Sequence, residues 1–231
     1  MTDKPQEWGS ISCLAKQTMT ICNMQNKNIL PLTTNLPEGR VLDMDTRQAL
    51  LDNAAELIRT RGYTGFSYAD LAERVGIRKP SIHHHFPAKE DLGVALLDQY
   101  IVQFEQLLED ISRHEKYPSD QLRAFANLYR SSLEQGWGCV CGMLAADVDV
   151  VSPEIAVGVR RFMSMNQHWL TQVLEAGQQQ KTVSDAIDSA AQAGMLLAVC
   201  QGALLVARAM RSVDGFDQAV NAVLKSFDQT N

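Results

Sequence analysis

The sequence lacks the features that define several other protein classes. Its 231 residues contain no uninterrupted apolar stretch approaching ~18 residues, so neither a membrane-spanning helix nor a membrane partner is predicted. The alternation of apolar and polar residues that is typical of strands is almost absent. Apolar residues make up 45% of the chain and charged residues 21%, which excludes a disordered or collagen-like protein. The composition therefore predicts a globular and mostly helical protein.

Disulfide pairs and catalytic motifs are also missing. The five cysteines are an odd number without a C-x-x-C pair, and residues 1–22 do not resemble a secretory leader. We therefore expect reduced thiols and a cytoplasmic location. The sequence has no Gly-rich phosphate loop, no nucleophile elbow and no H-E-x-x-H motif. We predict no enzymatic activity, no cofactor and no bound metal.

Acidic charge is concentrated in the last part of the chain. Residues 1–91 contain 11 basic and 11 acidic residues, whereas residues 92–231 contain 10 basic and 16 acidic residues. The net charge of −6 therefore comes entirely from residues 92–231. Because salt screens charges beyond ~8–10 Å, the local field decides whether a segment attracts a polyanion. The overall acidity does not exclude nucleic-acid binding by the first part.

Residues 1–44 show no sustained periodicity and contain Pro5, Pro31 and Pro37. We expect them to form a poorly structured N-terminal extension. A second interpretation is that translation starts at Met44, immediately before the first strongly patterned segment.

Residues 45–91 carry the pattern of a helix-turn-helix module. Apolar residues recur at helical spacing and end at Gly62; they are Leu50, Leu51, Ala54, Leu57 and Ile58. Ser67 and Asp70 form a capping-box-like start to a short helix, and Gly76 supplies the turn residue. Pro80 then occupies the first turn of the next helix. Such a plan places the second helix in the major groove of DNA.

Residues 92–231 show helical periodicity throughout. Long amphipathic runs end near Pro118 and at Gly136, and a third begins after Pro153. Residues 184–211 are apolar on most faces, which indicates a helix buried in a core or against a partner subunit. The chain is therefore predicted to be all-α, with a three-helix module followed by a larger helical domain.

The run RGYTGFSYADLAERVGIRKPSIHHHFPAKEDL resembles the DNA-binding module of the tetracycline-repressor (TetR/AcrR) family of bacterial regulators. The resemblance covers about fifty residues, from Thr46 to about Leu97. It implies a homodimer whose two modules bind double-stranded operator DNA. It also implies that residues 92–231 dimerise, through helices at about 153–211, and bind a small-molecule effector that releases the DNA.

On this resemblance, the DNA contacts fall in and around the second helix of the motif. Lys79, Ser81 and either His83 or His84 are expected to face the groove, and Lys89 is expected to hold phosphate. The full candidate set is Ser67, Tyr68, Arg78, Lys79, Pro80, Ser81, His83, His84 and Lys89. An alternative for Ser67 is that it caps the helix without contacting phosphate. An alternative for Arg78 is that it is solvated without contacting phosphate.

Three consecutive histidines are a departure from the family, which often has tyrosine where this chain has His83. Imidazole titrates close to neutral pH, so DNA affinity is expected to rise as pH falls. A metal site at His83, His84 and His85 is not predicted, because adjacent side chains diverge by ~100° on a helix.

The candidate effector or sensing residues are Trp137, Cys139, Cys141, Met143, Phe162 and Trp169. Cys139 and Cys141 stand in a glycine-rich segment between two helical runs, where some repressors of this family carry a sensing cysteine. A thiol-based sensor of oxidants or electrophiles is therefore an alternative to reversible ligand binding. Plain core packing remains the alternative for all six residues.

Overall fold

The computed structural model describes residues 38–227, with side chains described from residue 45 onward. Within these residues the secondary structure consists of α-helices without strands, so the predicted all-α fold is confirmed. The helices are α1 Glu38–Arg61, α2 Tyr68–Val75, α3 Lys79–His85, α4 Lys89–His114, α5 Pro118–Glu134, α6 Val140–Ala146, α7 Pro153–Gln179, α8 Ser189–Met210 and α9 Val213–Lys225.

The first helix starts earlier than the sequence pattern predicts. Its apolar face is fully buried as expected, at Leu50, Leu51, Ala54, Leu57 and Ile58. However, α1 begins at Glu38, so the helix includes residues 38–44, which the sequence pattern assigned to the extension. These seven residues contain one glycine and no proline, so helical hydrogen bonding extends upstream from the packed part of α1. Residues 1–37 lie outside the described residues.

Local signals shape the helix-turn-helix as predicted. The Ser67 side chain accepts a hydrogen bond from the Ala69 amide, and the Asp70 carboxylate accepts from the Ser67 amide at 2.8 Å. Gly76 ends α2 with a φ of +76°, a left-handed conformation that glycine adopts without steric cost. Ile82 and Phe86 are buried and fix one face of α3 on the module. The opposite face of α3 is exposed to solvent.

The larger domain packs α4, α5, α7, α8 and α9 around a common core. Helix α8 packs on α7 and α9, and α7 also contacts α4, α5 and α6. Aromatic side chains fill the centre, with Phe104 contacting the rings of Tyr100, Phe125, Tyr129 and Phe162 at centroid distances of 4.9–6.4 Å. Contacts of α6 with α1, and of α4 with α1, join this domain to the DNA-binding module.

Helix α8 is apolar on more than one face. Its buried face includes Leu196, Cys200 and Leu204, whereas Leu205 and Met210 are 61% and 73% exposed. Among the described residues, α8 is long and apolar enough to cross a membrane by length and composition, a test that the core helices of soluble proteins also pass. Its exposed apolar face is therefore not covered by the other residues that the structure describes.

Candidate functional site

The solvent-facing side of α3 carries most of the predicted DNA contacts. Arg78, Lys79, Pro80 and Ser81 are exposed around the start of the helix. His83 and His84 are exposed in its last turn, while His85 is half-buried. Two cations, a hydroxyl and two imidazoles therefore share one open surface. These groups are hydrogen-bonding partners for phosphates and base edges.

The Tyr68 hydroxyl is engaged within the protein. It donates to the carbonyl oxygens of Phe86 at 3.0 Å and Ala88 at 2.6 Å, and the ring packs edge-on against His83. Burial raises the pKa of Tyr68 far above its usual value, a shift that Asp91 increases. The side chain thus joins α2 to the segment between α3 and α4. Ser67 is exposed and caps α2, with its Oγ atom also donating to Asp70.

Lys89, which the sequence predicts to hold phosphate, has partners within the module. Its Nζ atom donates to the carbonyl oxygens of Tyr63 and Phe66, both at 2.5 Å. The ammonium also lies 4.6 Å from the ring centroid of Tyr63 and 4.1 Å from that of Phe66. Burial lowers the pKa of Lys89, an effect that the carboxylates of Glu90 and Asp147 oppose. The amine is drawn inward by two carbonyls and two aromatic faces, and it stabilises the loop between α1 and α2.

The three histidines do not converge. The Nδ1 atom of His83 lies 3.0 Å from the Pro87 carbonyl oxygen, in position to donate to it, whereas the rings of His84 and His85 meet edge-on at 5.4 Å. Across the part of the chain that the structure describes, no group of three or more histidine, cysteine or acidic side chains is arranged to hold a metal ion.

Asp147 connects the larger domain to the DNA-binding module. It ends α6, and its Oδ2 atom accepts hydrogen bonds from the amides of Tyr63 at 2.9 Å and Thr64 at 3.4 Å. The loop between α1 and α2 is therefore held by a carboxylate from α6. A displacement of α6 would be transmitted directly to the start of the helix-turn-helix.

Arg59 forms a second connection at the other end of α6. Although charged, this α1 residue is 3% exposed, and its guanidinium lies 5.1 Å from the Trp137 ring and 5.7 Å from the Tyr100 ring. The Arg59 carbonyl accepts from the Gly138 amide at 3.1 Å. A buried cation between two aromatic faces has a defined position, because its planar group stacks on both rings. Helix α6 is thus fixed to the module at both ends.

The candidate thiols lie in the core of the larger domain. Cys139, Cys141 and Cys200 are buried and unpaired by disulfides. Burial raises the pKa of Cys141 well above its usual value and that of Cys200 to about 12, so both remain protonated thiols. The Sγ atom of Cys139 accepts a hydrogen bond from Gln201 Nε2 at 3.5 Å and lies 3.8 Å from the Tyr100 hydroxyl.

The remaining candidate effector residues occupy different places. Phe162 belongs to the central aromatic group, whereas the Trp169 indole donates outward to Ser112 Oγ at 2.9 Å. Trp137 covers Arg59, and the sulfur of Met143 lies 3.5 Å from an Arg208 guanidinium nitrogen. Cys139 and Phe162 both contact Tyr100, and the Met143 amide donates to the Cys139 carbonyl oxygen at 2.9 Å.

Several residues of this junction gave no sequence signal. Arg59 falls on the helical repeat of α1 but is the wrong residue type for a core position, and Asp147 stands in an acidic stretch typical of a surface. Tyr129, in the core of the larger domain, is likewise only one of many apolar positions in the helical repeat of α5. Their partners lie far away in sequence, with Asp147 and Tyr63 separated by 84 positions, so no local spacing predicts them.

Comparison with known proteins agrees with this geometry. The model of bacterial regulatory proteins of the tetR family matches residues 50–96, which contain the helix-turn-helix. A second model, the tetracyclin repressor-like C-terminal domain, matches residues 118–223. A transcriptional regulator of the TetR family from Agrobacterium tumefaciens has a solved structure with 32% sequence identity and a TM-score of 0.78. The alignment covers 81% of this chain and 100% of that one. The chain belongs to the TetR family.

Two curated transcriptional repressors align with most of this chain. The transcriptional repressor ComR of Escherichia coli is 30% identical over 188 residues, which are 78% of this chain and 87% of ComR. The transcriptional repressor NemR of the same species is 28% identical over 183 residues, covering 76% and 90% of the two chains. Family membership makes the chain a DNA-binding transcriptional regulator, as the sequence pattern predicts.

Proposed function

We propose that this TetR-family protein is a cytoplasmic homodimeric repressor whose α3 helices bind successive major grooves of an operator and whose larger domain binds a small-molecule effector. The observation that carries the proposal is the exposed polar face of α3 on a module fixed by buried Ile82 and Phe86. ComR and NemR are both described as repressors, which supports the sign of regulation.

The proposed DNA surface consists of Lys79, Ser81, His83 and His84, with Arg78 at its edge. All five side chains are exposed. Lys79 and Arg78 supply the positive charge for phosphates, and the hydroxyl and imidazoles supply donors and acceptors for base edges. Lys89 and Tyr68 support this surface from within the module and are not part of it.

The exposed face of α8 supports homodimerisation. Its exposed small and apolar residues follow a regular spacing of four and three, at Ala191, Met195, Ala198, Gly202, Leu205 and Ala209. Such a stripe allows two helices to pack closely along their length. Replacing Leu205 with glutamate is expected to give a monomer of about 25.6 kDa in sedimentation velocity, whereas Val102→Glu, at an exposed valine of α4, leaves the dimer intact.

The DNA contacts are tested by alanine substitution in α3. Lys79→Ala is expected to weaken binding to every duplex and to reduce the salt slope by about 0.9. Ser81→Ala and His84→Ala are expected to cost about 1–3 kcal/mol on the operator and little on an unrelated duplex. Lys181→Ala, at an exposed cation of the larger domain, serves as the control. Equal losses from Lys181→Ala and Lys79→Ala would contradict the assignment.

Thiol sensing at Cys139 is a second candidate. The Gln201 amide donates to its sulfur at 3.5 Å, which gives this thiol a polar side-chain partner. A solved structure of NemR, 28% identical to this chain, is described as a reduced form. Cys139→Ser is expected to abolish any release of operator DNA by oxidants, while Cys141→Ser and Cys200→Ser retain it. Release that persists in Cys139→Ser would exclude this candidate.

A further inference from the structure

The core of the larger domain contains a buried hydroxyl without a hydrogen-bond partner. Tyr129 on α5 is 3% exposed, and its hydroxyl oxygen contacts neither a donor nor an acceptor. An unpaired buried polar group costs about 1–3 kcal/mol, so most are paired in native proteins. The hydroxyl can therefore donate a hydrogen bond to a bound molecule.

A second donor nearby has only a weak acceptor. Gln201 Nε2 donates to the sulfur of Cys139 at 3.5 Å, and this sulfur lies 3.8 Å from the hydroxyl of Tyr100. The rings of Tyr100 and Tyr129 both contact Phe104. Cys139 is itself buried, and a thiol sulfur is a poor acceptor for an amide. Polar groups with weak partners therefore accompany Tyr129 in this core.

The side chains packed around Tyr129 are aromatic. Tyr129 lies 5.4 Å from the Phe125 ring and 6.3 Å from the Phe104 ring, and Phe104 lies 4.9 Å from Phe162. Aromatic faces and edges favour planar apolar groups in stacked or edge-on contacts. The structure therefore combines an unsatisfied hydrogen-bond donor with surroundings suited to a ring.

The same surroundings disfavour a negative charge. Burial raises the pKa of Tyr129 and of Cys141 well above their usual values, and raises that of Cys200 to about 12. A site that keeps its own acids neutral also penalises a carboxylate brought in by a ligand. An uncharged acceptor meets the requirement for hydrogen bonding without this cost.

We propose that the effector is an uncharged aromatic carbonyl compound. Its oxygen accepts a hydrogen bond from Tyr129, and its ring packs against Phe104 and Phe162. This assignment rests on the proposed function, because it gives the effector site of the proposed repressor.

Three small probes of similar shape test the assignment by calorimetry on the full chain. Acetophenone carries the acceptor, ethylbenzene lacks it, and benzoate replaces it with a charge. Acetophenone is expected to bind about 3- to 10-fold more tightly than ethylbenzene, the range for one neutral hydrogen bond. Benzoate is expected to bind more weakly than acetophenone. Equal affinity for acetophenone and ethylbenzene, or tighter binding of benzoate, would overturn the proposal.

Tyr129→Phe removes only the hydroxyl and provides the matched variant. It is expected to bind acetophenone and ethylbenzene equally while leaving the free energy of unfolding unchanged or higher, because no internal partner is lost. Tyr117→Phe, at a tyrosine that is 63% exposed, is expected to keep the preference for acetophenone. A Tyr129→Phe protein that keeps this preference would also refute the site.

Operator binding without any probe is measured separately. Tight, selective DNA binding together with no preference among the probes would reject the effector site but leave the proposed repressor intact. A preference that depends on Tyr129 in a protein without selective DNA binding would reject the repressor function instead.

Discussion

Lys89 and Asp147 bind the two backbone polar groups of the same residue, Tyr63. The ammonium donates to the Tyr63 carbonyl at 2.5 Å, and the carboxylate accepts from the Tyr63 amide at 2.9 Å. One group comes from the start of α4 and the other from the end of α6. The loop that leads into the helix-turn-helix is therefore held from both sides, by a lysine of the module and by a carboxylate of the larger domain.

Substitution of Lys89 with methionine is expected to act on stability more than on phosphate binding. The variant loses hydrogen bonds to Tyr63 and Phe66, which is expected to lower the free energy of unfolding by about 1–3 kcal/mol. The slope of log Kd against log salt is expected to stay constant. Urea unfolding and DNA titration measure the two quantities. An unchanged unfolding energy with a slope reduced by about one would show that Lys89 binds phosphate after all.

Asp147→Ala is expected to loosen the loop between α1 and α2. The amides of Tyr63 and Thr64 lose their acceptor, so their hydrogen exchange is expected to accelerate about tenfold or more. Asp147→Asn retains an acceptor oxygen and is expected to restore part of the protection. Asp149→Ala, at an exposed carboxylate, is the control. Unchanged exchange in Asp147→Ala would show that the contact does not hold the loop.

Arg59→Met tests the aromatic contacts at the other end of α6. Losing the stacking on Trp137 and Tyr100 is expected to cost about 1–3 kcal/mol of unfolding free energy and to change the fluorescence of Trp137. Arg59→Lys keeps the charge but not the planar group, and an intermediate loss is expected. Arg61→Met, at a side chain that is 53% exposed, is expected to change neither quantity. Equal effects of Arg59→Met and Arg61→Met would contradict a specific role for the buried guanidinium.

Asp52 gives the DNA-binding module a pH-dependent stability. Burial raises the pKa of Asp52 to about 6, from 3.8, although Gln48 donates to its carboxylate. A raised pKa favours the protonated form in the fold, so the contribution of Asp52 to stability is present at low pH and is lost as pH rises through about 6. Asp52→Asn is expected to become more stable than the parent protein between pH 4 and 7.5, by about 1 kcal/mol after allowance for solvent screening.

Unfolding in urea at several pH values measures this difference. Asp45→Asn, at an exposed carboxylate, is expected to show no comparable trend. A stability gap between Asp52→Asn and the parent that is constant from pH 4 to 7.5 would contradict the raised pKa.

The sequence predicted the features of the module that depend on neighbouring residues. The capping box at Ser67, the left-handed turn at Gly76 and the proline in the first turn of α3 involve groups at most a few residues apart. Side-chain roles that depend on tertiary contacts could not be predicted from neighbouring residues. Lys89 stood in the expected phosphate position, yet its hydrogen-bond partners lie 23 and 26 residues upstream.

The aromatic core of the larger domain shows even more strongly that tertiary contacts were not predictable from local sequence. Apolar periodicity predicted that α4, α5 and α7 bury aromatic faces, and the rings of Phe104 and Phe162 do meet there. Periodicity contains no information on which hydroxyl remains unpaired once the helices pack. Within the aromatic core of the larger domain, Tyr129 is distinguished from Phe104, Phe125 and Phe162 by a buried hydroxyl without a hydrogen-bond partner.

The central claim is that this protein binds a specific operator through α3. Fluorescence anisotropy of the purified protein on the DNA upstream of its own gene, beside an unrelated duplex and at two salt concentrations, tests it most directly. We expect the affinity for the upstream DNA to be at least 10³-fold higher than for the unrelated duplex. The double variant Ser81→Ala, His84→Ala is expected to lose this preference. Equal binding of both duplexes, abolished together by salt, would contradict operator recognition at this site.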